Sequence, residues 1–272
     1  MFSKLLKYEW KAVSRHLGIL SLCVLGMGVL AGGIVRLMDF LSTKAVNDSM
    51  AILLIVAFAL MLLGMYIAII AYGLGTNIYL LFRFHKSRFT DQGYLTFTLP
   101  VSNRSIFLSA YVNNLLWSAI SVVTVFLAVA MALVIGLAGN LGMEELRWEM
   151  EMFREAMKNS AVGGYMIVQV IGILLSGAAG VMIAMASVTV GAVIAKKHKI
   201  LAAIGIYYGQ SIVMSILGGV IQVALTFMTF SSEMGDVAYA LMSSLTYVLQ
   251  IAWGVGAYFL SMHLINKKLN LP

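Results

Sequence analysis

Six stretches of this chain are too long and too apolar for a water-soluble fold. They run from about His16 to Met38, Met50 to Phe82, Ile106 to Gly139, Ala161 to Ala195, Ile200 to Phe230 and Val237 to Ile265. A bilayer core is about 30 Å thick, and about 20 apolar residues of helix cross it. In hydrocarbon the backbone N–H and C=O groups find partners only within the segment, so each stretch is expected to be helical. Composition agrees: of 272 residues, 61% are hydrophobic and 11% charged, against roughly 45–50% and 25% in a soluble domain. Only Pro100 and Pro272 are proline, and neither interrupts a stretch. The expected fold is all-α, a polytopic integral membrane protein with six transmembrane helices in one transmembrane domain over residues 1–272. The run from Leu17 lacks a small-x-small exit, so it is expected to be a retained anchor.

The basic residues set the expected orientation, because positive charge collects on the inner side. With the N-terminus inside, 13 of the 18 Lys and Arg residues fall in cytoplasmic segments, with only Glu9 and Asp91 as acids beside them. Six spans return the C-terminus to the same side. The expected location is the inner, cytoplasmic membrane of the cell, with both termini cytoplasmic. The net charge of +7 is then a product of topology, and nucleic acid is not an expected partner. The middle spans exceed what a bilayer needs: 33 residues from Met50 to Phe82 would reach about 50 Å. They are expected to tilt, kink or project, and Gly73, Gly75 and Asn77 mark an expected weak point.

Three polar segments interrupt the pattern. Residues 1–15 place Phe2, Leu5, Leu6, Trp10 and Val13 near helical spacing, with Lys4, Lys7, Lys11 and Arg15 offset from them. This predicts an amphipathic interfacial helix on anionic membrane lipid. Residues 140–160 form the largest outer loop, where Leu146, Met150, Phe153 and Met157 make a helical stripe. Residues 83–105, RFHKSRFTDQGYLTFTLPVSNRS, are cytoplasmic in this topology. Asp91-Gln92-Gly93 is a turn or helix-end signal. Leu95, Phe97 and Leu99 alternate with Thr96 and Thr98, as a strand would. A lone strand leaves its amides unpaired, so the segment is either covered by a partner protein or is a short helix. Pro100 breaks the chain, and Ser102 or Asn103 can cap the helix that follows.

Much familiar chemistry is missing. No G-x-x-x-x-G-K-[ST] or H-E-x-x-H occurs, so the chain does not cradle nucleotide phosphates by itself. The single Cys23 forms neither an intrachain disulfide nor a cluster. His16, His85, His198 and His263 lie near span ends, where snorkelling is the expected role, and no metal site is expected. The cores of the spans hold no clear Asp, Glu, Lys or Arg. Coupled carriers keep such groups at mid-membrane, so the energy for any transport is expected to come from elsewhere. The spans do hold Asn113, Asn114, Gln169, Gln210 and Gln222. In hydrocarbon each amide needs a partner, either a neighbouring helix or the lining of a substrate path. Gly28 and Gly32, Gly172, Ser176 and Gly180, and Gly205 and Gly209 recur at a spacing of four, which permits close helix approach.

These residues resemble the membrane subunits of exporter-type (type-two) ABC transporters. Those permeases match this chain in length, six spans and cytoplasmic termini, and begin with an amphipathic connecting helix, here similar to Leu5-Leu6-Lys7-Tyr8-Glu9-Trp10-Lys11. After a coupling helix between spans two and three they carry a pattern close to acidic-x-Gly-x-Leu, later Pro-[Val/Ile]-Ser. Here the counterparts are Asp91-Gln92-Gly93-Tyr94-Leu95 and Pro100-Val101-Ser102. Ala110 stands where many members carry a basic residue. The resemblance implies a permease, not an enzyme, with two copies or two related chains forming the pore. Two cytosolic ABC ATPases would dock beneath and carry the ATP and Mg; this chain holds no cofactor. Arg88, Asp91, Gln92, Gly93, Tyr94 and Glu9 would couple ATPase motion to the spans. The implied substrate is an amphiphile such as a peptide antibiotic, a drug or a lipid, moved outward. The alternatives are a secondary carrier or a small lipid-acting membrane enzyme, both working without an ATPase.

Overall fold

The computed structural model describes residues 2–42, 48–98, 100–137, 143–158, 160–195, 197–229 and 235–267. Eight helices account for nearly all of them: α1 (Phe2–Ser42), α2 (Asp48–Phe89), α3 (Asp91–Phe97), α4 (Asn103–Leu137), α5 (Met143–Lys158), α6 (Ser160–Ile194), α7 (Lys199–Thr229) and α8 (Gly235–Lys267). There is no strand among the described residues. Six of these helices, all but α3 and α5, are long and apolar enough to cross a membrane.

The outer faces of the long helices are made for lipid. Leu53, Leu60, Ile67, Leu74 and Ile78 of α2 are each more than half exposed, as are Ile212, Ile216, Val220 and Phe227 of α7. A soluble monomer rarely shows apolar patches beyond a few hundred Å². The polar side chains Ser21, Thr76, Asn113, Ser187 and Thr189 are instead buried. This is a multi-pass membrane protein.

One expected boundary is absent, and one expected weak point carries no break. The interfacial helix of residues 1–15 does not end before the first span; α1 is one helix of 41 residues. No proline lies within α1 and its first glycine is Gly18, so nothing stops the helix near residue 15. At this length it extends about 62 Å, well beyond a hydrocarbon core. Likewise α2 runs unbroken through Gly73, Gly75 and Asn77. The Asn77 amide donates to the Gly73 carbonyl at 2.8 Å, a local bond that leaves the helix continuous. The stripe of residues 140–160 does form a helix, α5, with Trp148 and Met152 exposed. The side chains of Leu146, Met150 and Phe153 lie outside the described residues.

Contacts divide the chain into two compact units. One comprises Leu6–Leu80 and Asn113–Arg154. In it Val13 and Leu17 of α1 pack on Leu80 of α2 and Trp117 of α4, with the Trp10 and Trp117 rings 4.8 Å apart. Further along, Val24, Tyr72 and Ala128 make a second layer, and Ser21 shares a 2.7 Å hydrogen bond with the Tyr72 hydroxyl. Helices α1 and α4 come closest at Gly28, where an added Cβ would lie 2.8 Å from the Ala128 Cα. Gly32 meets Ile135 in the same seam.

The other unit takes Leu81–Val112 and the chain from Glu155 onward, with the first few residues. Its core gathers Phe84, Phe89 and Phe107 with Met182, Met185, Val188, Ala203, Met262 and Ile265. Phe84 meets Phe89 and Phe107 edge to face, at 5.6 and 5.8 Å, a favoured aromatic geometry. This core joins the end of α2, the start of α4, and α6, α7 and α8. Helix α6 lies close to both α7 and α8: a Cβ on Gly191 would lie 2.7 Å from Ala203 Cα, and one on Gly254 would lie 2.7 Å from Ala179 Cβ.

Candidate functional site

Two features of this second unit have the form of working parts. The first is the 83–105 segment, whose short-helix alternative is the one realised. Helix α3 spans Asp91–Phe97, and its first turn is closed by Gly93 N–H donating to the Thr90 carbonyl at 2.7 Å. The chain then turns past Pro100 and re-enters helix at Asn103, three residues before the expected Ile106. Ser102 caps that helix as expected: its Oγ accepts from the Ser105 N–H at 3.4 Å and lies 2.9 Å from the Ser105 Oγ.

The segment is held by side-chain hydrogen bonds and by one apolar contact. Arg88 is only 5% exposed. Its Nη2 donates to the Ile106 carbonyl at 3.2 Å and its Nη1 to the Ser87 Oγ at 3.3 Å. A guanidinium is thereby clamped between the end of α2 and the first turn of α4, and charge-assisted bonds of this kind are among the stronger ones. The Thr96 hydroxyl donates back to the Ser87 carbonyl at 3.2 Å. The Asn103 amide donates to Asn266 Oδ1 at 3.0 Å, fastening the start of α4 to the end of α8. Phe97 packs on the aromatic core and Gly93 is buried. Asp91, Gln92, Tyr94 and Leu95 face outward, Tyr94 at 62% and Leu95 at 70% exposure. The residues singled out in the sequence thus separate by task. Arg88 ties the helix ends that flank α3, Gly93 is its buried residue, Asp91, Gln92 and Tyr94 form its exposed tip, and Glu9 is half-buried on α1.

The second feature is a groove of about 320 Å³ between α6, α7 and α8. It is lined by Gly180 and Ile183 of α6, by Gln210, Met214 and Gly218 of α7, and by Thr246, Gln250 and Trp253 of α8. All of these positions lie near the middles of their helices. Gln210 is held at both ends: Nε2 donates to the Ser187 Oγ at 2.6 Å, and Oε1 accepts from Trp253 Nε1 at 3.4 Å. Gln250 donates through Nε2 to the Ser176 carbonyl at 3.3 Å.

The five amides read as a substrate path do not form one site. Gln210 lines the groove. Gln169 accepts from the Tyr247 hydroxyl at 2.6 Å, an interhelical bond. Gln222 is exposed on α7. Asn113 and Asn114 are buried on α4 in the other unit, where Asn113 Oδ1 and Asn114 Nδ2 have no hydrogen-bond partner among the described residues. Sequence reasoning missed Gln250, Trp253 and Thr246. The signal was present as a polar row at i, i+4 and i+7 within a long apolar helix. Among the described residues no three His, Cys, Asp or Glu side chains gather as metal ligands would. No family model, no curated protein and no solved structure matches this chain.

Proposed function

We propose that this chain is the membrane permease subunit of an ABC exporter, driven by a separate cytosolic ATPase and moving an amphiphilic substrate outward. The observation that carries the reading is α3. A helix of seven residues with an exposed Tyr94-Leu95 tip is bonded to α2 through Thr96, beside the buried Arg88 that ties α2 to α4 and the Asn103 amide that ties α4 to α8. Such a piece passes a push on its tip into α2, and through those ties into α4 and α8. The chain has no phosphate-cradling loop of its own, so the push must come from a partner that burns nucleotide. ATP and Mg belong to that partner, and this subunit is not itself an enzyme. A pore of two such subunits, identical or related, completes the assembly in the cytoplasmic membrane, with the termini and α3 on the cytoplasmic side. The abundance of Lys and Arg at 83–104, 196–199 and 267–268 supports that orientation.

The test is purification of the tagged chain from its native membrane in mild detergent. A cytosolic ATPase with a G-x-x-x-x-G-K-[ST] loop should accompany it in near-equal amount, and its hydrolysis should change when the chain is present. A chain that purifies alone, with activity independent of nucleotide, would favour the secondary-carrier or lipid-enzyme alternative.

A further inference from the structure

The α6–α8 groove has a lining that selects by chemistry. None of its lining residues is Asp, Glu, Lys, Arg or His. Its lining sets apolar and aromatic residues beside uncharged polar ones, Gln210, Ser211, Ser215, Thr246 and Gln250, and its volume is at the lower end of the usual range for a small-molecule site. Most of those polar groups are already committed. Gln210 is bonded at both ends, which fixes it and holds Trp253. Three groups are not committed among the described residues: the Tyr207 hydroxyl and, nearer mid-helix, one end of Gln250 and the Ser215 hydroxyl. Gln250 makes its one side-chain hydrogen bond among the described residues through Nε2, leaving Oε1 as an open acceptor. The Ser215 hydroxyl makes none among the described residues. Both lie near mid-helix, where hydrocarbon rather than water would surround them, and an unmatched polar group there is costly.

We infer that the groove binds a neutral amphiphile that enters sideways from the bilayer, an apolar chain bearing an uncharged amide or hydroxyl. The N–H or O–H of that group donates to Gln250 Oε1, and the Ser215 hydroxyl turns to complete the pair. The apolar chain lies along Met214, Leu249 and Trp253. A charged headgroup is refused, because it would bring an unpaired charge to a lining that offers no counter-charge. Two sources carry this chemistry: a neutral membrane lipid, or an acylated or apolar peptide in transit. The inference rests on the transport reading only in taking the groove as the substrate's point of entry. Binding itself is measured without any ATPase, so failure of the co-purification leaves it standing.

Gly218 supplies the plug. It lines the groove, and a Cβ there meets nothing within 4 Å. A larger side chain fills the space without displacing the backbone. Its neighbour Gly219 is equally open but does not line the groove, which makes it the matched control. The experiment uses the full chain in phosphatidylcholine nanodiscs with three photoreactive probes: a diazirine diacylglycerol, a diazirine N-acyl dipeptide amide, and a diazirine phosphatidylglycerol with the same chains. At least one neutral probe should label peptides around Met214 and Leu249 about tenfold more than the charged probe, the difference worth one good hydrogen bond at that depth. Gly218→Leu should cut that labelling about tenfold, while Gly219→Leu leaves it within about twofold. The stronger of the two neutral probes identifies the source. Equal labelling by the charged probe, or equal effects of the two leucines, overturns the inference.

Discussion

Replacing Arg88 with methionine is expected to speed hydrogen exchange of the α3 amides about 10- to 100-fold while the middle of α6 keeps its protection. Arg88 is the buried tie between the two helices that flank α3, reaching from the end of α2, where it also meets the Ser87 hydroxyl, to the Ile106 carbonyl of α4. Hydrogen bonds to charged groups contribute about 1.5–3 kcal/mol, and each 1.4 kcal/mol is about a tenfold change in the opening equilibrium. Methionine fills much of the same apolar space, so Phe84, Phe89 and Phe107 keep their packing and the loss is confined to the guanidinium. The bond from Thr96 of α3 to the Ser87 carbonyl remains, so α3 loosens and does not detach. Unchanged exchange over residues 93–98 would show that Arg88 is not the tie.

The second large effect is steric. Gly28→Leu should lower the stability of the detergent-solubilised protein by about 1–3 kcal/mol, the usual cost of overpacking, while Gly26→Leu should not. At Gly28 even a Cβ would collide with the Ala128 backbone, and Gly32 and Gly136 keep the same α1–α4 seam close further along both helices. At Gly26 a Cβ meets nothing within 4 Å, and its side chain would join the exposed face. The two glycines differ only in which face of α1 they occupy, so comparing their thermal midpoints isolates helix approach from helix propensity. Equal midpoints would contradict the seam.

The sequence carried the six long helices plainly, because lipid demands long uncharged runs and little else competes with that signal. Ends were less legible. The lysines of residues 4–15 sit on a polar face, but no residue there stops a helix, so α1 runs on as one piece. Gly73 and Gly75 permit a kink, yet α2 continues through them. The spacing of small residues was equally permissive. Gly28 and Gly32 are at a true close approach, Gly172 lies against Tyr247, but Gly205 and Gly209 face open space. A small residue allows contact without requiring it, and only the partner helix decides.

The candidate sites show the same limit. The turn at Asp91-Gln92-Gly93 and the cap at Ser102 were readable because both rest on local hydrogen bonds. The inward direction of Arg88 was not, since it depends on a carbonyl 18 residues away. The amides were recognisable as groups needing partners. That Gln210 shares a groove with Gln250, which the sequence reading missed, was hidden, because the two meet only through the packing of α7 and α8 along α6.

The most direct test of the account is which side of the membrane α3 faces. In a Cys23→Ser background, single cysteines placed by Tyr94→Cys, Lys197→Cys and Met152→Cys would be treated in intact cells with a membrane-impermeant maleimide. All three positions are exposed in the fold. The account predicts labelling of the α5 position at once, and of the other two only after the membrane is opened. Labelling of position 94 from outside, or of positions 94 and 197 from opposite faces, would contradict it, because no cytosolic ATPase could then reach the helix it is proposed to drive.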